Sequence, residues 1–468
     1  MKNFARNIIV ALLTLMSPMF AVNAADTGTQ VVASITLDET LKATKANSPM
    51  LKKVAAENAI NATDEEKVRA MKILPTINFG LRTGIVPEAR GDVLFSQDKQ
   101  TDLDGFGPFL QTEIKLVQPI YTFGRISNGA KAASKYNEAK AIRASGDVEA
   151  IEALAFQAYH SVVAARDALD ISKELKDAYK ILLTKIDEEV KKEKSGFDEG
   201  YLYESRSYAY KIENYYNTYS GQLAQAYIAF KEVTGISVDD STNFDDPGVP
   251  VCELTESDMQ RCIELAKQAN MDFQAIEAGK EAIDAKIQYE KSNKYPLIYF
   301  GGGLGYGVAP NRDDQKNPFV YDAFNYLNLA AFIGVNWDLN FSQNNIEMKK
   351  WKYQKTALEE SEKLLSSKLT VEMVGIFNEM VNDYKTSLLL ETSMEAAQSW
   401  VTLDYSNWEM DVGDPERLVK ALMNYFEIRG KLIENKYKYI LSVINFAKST
   451  GNLNNYLGWM KNGKVQIN

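Results

Sequence analysis

From Gly124 to Ser195 the chain runs for about 70 residues without a proline or any strand-like alternation, and this stretch limits every fold the rest can adopt. At about 1.5 Å per residue, one helix of that length measures roughly 100 Å, several times an ordinary globular helix. Apolar residues recur at three- and four-residue spacings, as in Ile151, Leu154, Ala155, Ala158 and Val162, while Lys, Glu and Asp fill the rest. That pattern predicts a helix buried along one side, and its alanines permit close helix packing. The helix breaks at Ser195-Gly196-Phe197-Asp198-Glu199-Gly200 and returns to Val233-Thr234-Gly235 through an arm rich in tyrosine, at spacings that suit packing.

The segments on either side show that this arm belongs to a unit used twice. Thr36-Leu37-Asp38-Glu39 has the form of a capping box, with Thr36 as N-cap and Glu39 three residues on. The helical pattern then runs to Leu74, interrupted at Ser48-Pro49 and ended by Pro75. From there the period changes to two. Ile77, Phe79 and Leu81 alternate with Asn78, Gly80 and Arg82. Beyond an acidic loop, Leu110, Thr112, Ile114 and Leu116 alternate with Gln111, Glu113 and Lys115. After a polar linker the order repeats: a helix over 254–293, a glycine-rich strand from Pro296 to Ala309, a strand in which Leu327 to Leu339 alternates, a helix over 344–410, a break at Val412-Gly413-Asp414-Pro415, and a return to Thr450-Gly451. Pro75 and Pro296 are 221 apart, Pro119 and Asp338 219, Gly196 and Gly413 217, and Gly235 and Gly451 216. So steady a shift marks a duplicated unit. The expected division is 1–24 export signal, 25–235 first repeat, 236–255 linker, 256–451 second repeat and 452–468 tail.

The signal is read from Lys2 and Arg6, an apolar run from Ile8 to Phe20, and Val22-Asn23-Ala24 before Ala25. No later stretch reaches 18 apolar residues. The formal charge is −10, which argues against nucleic acid as a partner. Cys252 and Cys262, ten positions apart, form either a local disulfide across a turn or two buried free thiols. Neither a nucleophile motif nor a metal-ligand cluster occurs, and the single histidine, His160, lies on the long helix, so an enzyme is not expected and no cofactor is implied. The run Gly301-Gly302-Gly303-Leu304-Gly305-Tyr306-Gly307 lacks the spacing of a dinucleotide loop and suits a crowded barrel strand.

In each half, the opening and return helices together match the long arm in length, which predicts paired coils with the four strands at one end. Four strands cannot close a barrel, because even small barrels use about eight; three chains supply twelve. The expected fold is an α+β membrane protein: a long α-helical coiled-coil barrel plus a transmembrane β-barrel, four strands per chain, closed as a trimer.

Thr36-Leu37-Asp38-Glu39, Leu74-Pro75, Tyr295-Pro296, Gln118-Pro119-Ile120-Tyr121 with Gly124-Arg125, the run Gln222 to Tyr227 before Thr234-Gly235, and Tyr437-Lys438-Tyr439 before Gly451 come in a duplicated order. In that order the chain resembles the TolC-type outer-membrane efflux protein family (outer membrane factors) over nearly its whole mature length. The resemblance implies a homotrimeric channel set in outer-membrane lipid and extending into the periplasm, where it meets a periplasmic adaptor and an inner-membrane transporter for efflux or type I secretion. It places the linker in the equatorial region and the adaptor-docking tips at Gly196-Phe197 and Val412-Gly413, with a pore constriction among Asp411, Asp414, Glu416 and Arg417. Here the chain departs from the family, whose Asp-Val-Leu-x-Ala pattern is replaced by Arg417-Leu418-Val419-Lys420-Ala421. Asp414 before Pro415 also fits a plain helix cap, so the turn is either an acidic gate or a solvated tip. The competing readings are a periplasmic adaptor and a trimeric coiled-coil structural protein. The cargo is not written in the sequence.

Overall fold

The computed structural model describes residues 34–73, 75–88, 105–191, 199–312, 322–410 and 412–467. In chain order they form β1 (Ser34–Ile35), α1 (Leu37–Asn47), α2 (Pro49–Ile73), β2 (Thr76–Val86), β3 (Gly107–Tyr121), α3 (Arg125–Lys191), α4 (Glu199–Ser207), α5 (Ala209–Thr234), β4 (Asn243–Phe244) and β5 (Val251–Cys252). The second half supplies α6 (Met259–Ala269), α7 (Met271–Ser292), β6 (Leu297–Val308), β7 (Tyr326–Asn336), α8 (Phe341–Glu409), α9 (Pro415–Ser449), α10 (Tyr456–Asn462) and β8 (Lys464–Val465). The export signal falls outside the described residues. The chain divides into two compact units, one of Glu57–Ala141 and Ala275–Glu362, the other of Met1–Ala56, Ile142–Gln274 and Lys363–Asn468.

The first unit contains a four-stranded antiparallel sheet in the order β2-β3-β6-β7, so the two hairpins of the duplicated unit lie side by side. Its alternation sorts side chains by face. Ile77, Phe79, Leu81 and Ile85 share one face with Ile114, Leu116, Phe300, Leu304, Leu329, Ile333 and Val335. The opposite face carries Asn78, Arg82, Gln111, Glu113 and Lys115 with the odd-numbered glycines of β6. A Cβ on Gly301 would lie 2.5 Å from the Phe332 ring, and one on Gly334 2.5 Å from the Tyr299 ring. These two glycines, with Gly305 and Gly307 against the Tyr326 ring, therefore make room for rings folded across the sheet. The same unit holds its helices together by ion pairs, among them Lys280 with Glu362 at 2.7 Å and Lys135 with Glu281 at 2.9 Å.

The second unit is helical. The Thr36 capping box forms as read, with Glu39 N donating to Thr36 Oγ1 (3.2 Å) and Thr36 N donating to Glu39 Oε2 (2.9 Å). One core joins Phe156, Tyr159 and Val162 of α3, Phe230 of α5, Met373 and Phe377 of α8, and Tyr439 and Phe446 of α9. The duplication recurs at the ends of α5 and α9. Gly235 and Gly451 both have left-handed backbones, and a Cβ on either would press within 2.8 Å of Asn47 Cβ or 2.6 Å of Ala269 Cβ, the last residues of α1 and α6.

Three features differ from the sequence reading. The first return arm is two helices, split at Tyr208; Tyr179 OH donates to the Ser205 carbonyl, and capture of a helix carbonyl by a side chain interrupts the ladder. The linker is not bare, because β4 pairs with β1 and β5 with β8, both parallel. The stretch 452–467 is no tail: Tyr456, Trp459, Met460 and Val465 are buried in the same core. Both cysteines are free thiols, the alternative without a bond. Burial pushes the Cys262 thiol up to about 11 and raises Cys252, so both stay protonated and unreactive at neutral pH.

Candidate functional site at the helical turn

Of the sequence-predicted site residues, Gly196, Phe197 and Asp411 lie outside the described residues. Val412, Gly413, Asp414, Glu416 and Arg417 form the turn from α8 into α9. The chain reverses here because Gly413 lets backbone approach backbone: a Cβ on it would stand 2.3 Å from Trp408 N and 2.7 Å from the Asn407 carbonyl carbon. Asp414 caps α9, its Oδ1 accepting from Glu416 N at 2.9 Å, and Pro415 takes the first helical position, where a missing N–H costs nothing. The cap is therefore at least one role of Asp414. Glu416 pairs with Lys420 one turn on, and this hydrogen bond raises the Lys420 pKa. Lys420 also faces Glu204 at 3.8 Å.

Arg417 reaches across the turn to Asp404 Oδ2 at 3.6 Å, and Trp400 Nε1 donates to the same oxygen at 2.7 Å. Asp404 was not singled out in the sequence. Its carboxylate is 6% exposed while Arg417 is 64% exposed, so a buried anion is held by one ring N–H and one solvent-facing guanidinium. Removing either partner leaves a desolvated charge, which is costly. The signal that could have found Asp404 is its position seven residues after Ala397 and four before Trp408, on the buried stripe of α8. Around it Trp408 packs on Leu182, Ile186, Leu418 and Val419, and Lys185 lies over the Tyr405 and Trp408 rings. The α8–α9 turn is thus built from charged groups paired across helices, with Val412 exposed at its apex. Among the described residues no cluster of His, Cys, Asp or Glu could hold a metal ion, and no helix is long and apolar enough to cross a membrane.

No protein-family model and no curated protein matches the sequence. Solved structures do match. The outer-membrane channel OprN superposes with a TM-score of 0.68 at 12% identity, over 91% of this chain and 90% of that one. The Campylobacter jejuni CmeC outer-membrane channel gives 0.63 at 13% identity, over 96% and 99%. CusC, solved in a study of folding and transmembrane channel formation, gives 0.63 at 14% identity, over 93% and 99%. With nearly complete coverage in both directions, the chain has the fold of the TolC-type outer-membrane channels.

Proposed function

We propose that this chain is one subunit of a homotrimeric outer-membrane exit duct, passive in itself, that receives cargo from an inner-membrane transporter through a periplasmic adaptor. The observation that carries the reading is the two-sidedness of the sheet. Leu329 is 83% exposed, Ile85 72% and Ile333 71%, all on the apolar face. A face of that kind suits lipid and not water. The strands run 11, 15, 12 and 11 residues, at or above the roughly 9 to 11 needed to cross a bilayer. Exposed Tyr121, Tyr295 and Trp337 stand at one end of the strands and exposed Phe106 and Tyr306 at the other, as aromatic girdles do. The polar and glycine-rich face suits a water-filled lumen.

Among the described residues β2 and β7 are edge strands with no outer neighbour. In lipid an open edge is prohibitively costly, so copies of the chain close the barrel. Export by residues 1–24 delivers the chain to that membrane. Gly196-Phe197 and Val412-Gly413 serve as the docking tips, and Asp411, Asp414, Glu416 and Arg417 as the constriction. Membrane fractionation tests the reading. Trimers in the outer-membrane fraction that dissociate only on heating are expected; soluble periplasmic monomers would instead support an adaptor or a structural coiled coil. At the turn, Asp411→Asn and Glu416→Gln should each alter single-channel conductance or cation selectivity in planar bilayers. If both leave the two quantities unchanged, the constriction lies elsewhere.

A further inference from the structure

We infer that in the closed barrel β7 of one copy pairs with β2 of the next in one defined antiparallel register, with Val335 opposite Leu81 and Ile333 opposite Thr83. The inference rests on the trimeric reading above and goes beyond it by assigning the residues of the contact. Its template lies within the chain. The two hairpins have the same register over eleven pairs, Thr76 with Val117 through Val86 with Gly107 matching Leu297 with Asn336 through Gly307 with Tyr326. Strand β6 therefore corresponds to β2 with a shift of 221, and β7 to β3 with a shift of 219. The contact of β3 with β6 joins the last strand of one repeat to the first strand of the other. That is also what a contact of β7 with the next copy's β2 would do.

In β3·β6 the numbers of opposed residues add to 418, from Leu110 with Val308 to Pro119 with Tyr299. Moving the first member up by 219 and the second down by 221 gives pairs whose numbers add to 416. Val335 then faces Leu81, Ile333 faces Thr83 and Ala331 faces Ile85. These residues belong to the apolar faces of their strands, so the derived register keeps that face continuous. A slip of one residue would turn every lipid-facing side chain to the lumen.

On the lumen face the register sets Phe332 opposite Gly84 and Arg82 opposite Gly334. Within each copy these positions are already served from inside the sheet, Phe109 lying against Gly84, Tyr299 against Gly334 and Phe332 against Gly301, so the register is carried by the repeat and by the continuous apolar face.

Four cysteine substitutions test the register. Leu81→Cys and Thr83→Cys on β2 are combined with Ile333→Cys and Val335→Cys on β7 in all four pairings. Because β2 and β7 are opposite edges of one sheet, a disulfide between them links different copies. Directly opposed residues have Cα atoms about 4.5–5.5 Å apart, within disulfide reach, whereas diagonal ones stand about 7–8 Å apart. Treated with a dipyridyl disulfide as thiol oxidant, outer membranes should give covalent dimers and trimers from Val335/Leu81 and Ile333/Thr83. Yields should be about tenfold above those of the slipped pairs Val335/Thr83 and Ile333/Leu81. The unsubstituted chain, with its own two thiols, is the blank. Each site occurs once in a matched and once in a slipped pair, and Trp337→Cys with Phe79→Cys, also summing to 416, replaces any pair that does not assemble. Slipped pairs that link as well as matched ones overturn the register. Absence of linking in chains that remain trimers by native mass overturns the contact of β7 with β2. Monomers in the blank itself overturn the trimeric reading instead.

Discussion

His160 sits fully buried on α3, in hydrogen-bond contact with Tyr456 OH at 2.8 Å, with Tyr159 set edge-on to its ring. Burial pushes its pKa down to about 3. Seven residues on, burial raises Asp167 to about 6, assisted by Asp246 and Asp170 and opposed by Lys436 and Arg429. The two groups act in opposite senses. For His160 the unfolded chain binds the extra proton below pH 6.5, so stability falls with acidification, by about 1.4 kcal/mol per pH unit inside the window. For Asp167 the folded chain holds the extra proton between about pH 6 and 3.8, so acidification there restores stability. In detergent melts between pH 7 and 4, Asp167→Asn should therefore steepen the acid loss relative to the parent. His160→Gln should flatten it or reverse its sign. A parent slope unaffected by either substitution would remove both groups from the pH response.

At the scale of elements, the glycines ending α5 and α9 do the same work in each repeat. Each combines a left-handed backbone with a neighbour that occupies the space of a Cβ, so Gly235→Ala and Gly451→Ala should each destabilise by about 1–3 kcal/mol and by similar amounts. Paired thermal melts of the two variants would check this, and a large effect at one site with none at the other would show that the repeats have diverged there. Gly413 is the sharper case, because the atoms in its way are backbone and cannot rotate aside. Gly413→Ala should open the α8–α9 turn to limited proteolysis near Val412 while leaving the sheet intact. These elements were legible because a period of two, a period near 3.6 and glycine after a long helix each have a direct physical cause. What escaped depends on a particular partner and not on the pattern of the segment itself. The split at Tyr208 needs the Tyr179 hydroxyl, and β1 and β5 are two-residue strands that exist only through β4 and β8. Asp404 carries a charge at a core spacing, so its burial follows from Trp400 and Arg417 and not from its own character. The segment 452–467 was different, since Tyr456, Trp459 and Met460 already stand three and four residues apart as a helix face does.

At the scale of the whole molecule, the chain leaves apolar surface that a solitary copy cannot use. Along α8, Leu389, Ala396 and Leu403 stand at intervals of seven, and Met410, just past its end, continues the row; all four are exposed. Thr392, Ser399 and Ser406 lie three residues after the first three of these. A heptad row of this kind is half of a coiled-coil seam, and small residues beside it allow a second helix to come close. In the trimeric duct proposed above, the facing helix would belong to the neighbouring copy. Leu389→Lys with Leu403→Lys would place charges in that seam, where burial of each leucine side chain contributes roughly 1.5–3 kcal/mol. The double variant should form trimers that separate at a lower temperature on unboiled gels, whereas Glu395→Lys, one residue off the row, should leave that temperature near the parent value. Equal behaviour of the two would mean that the row faces water or another protein, and that the strands alone hold the copies together.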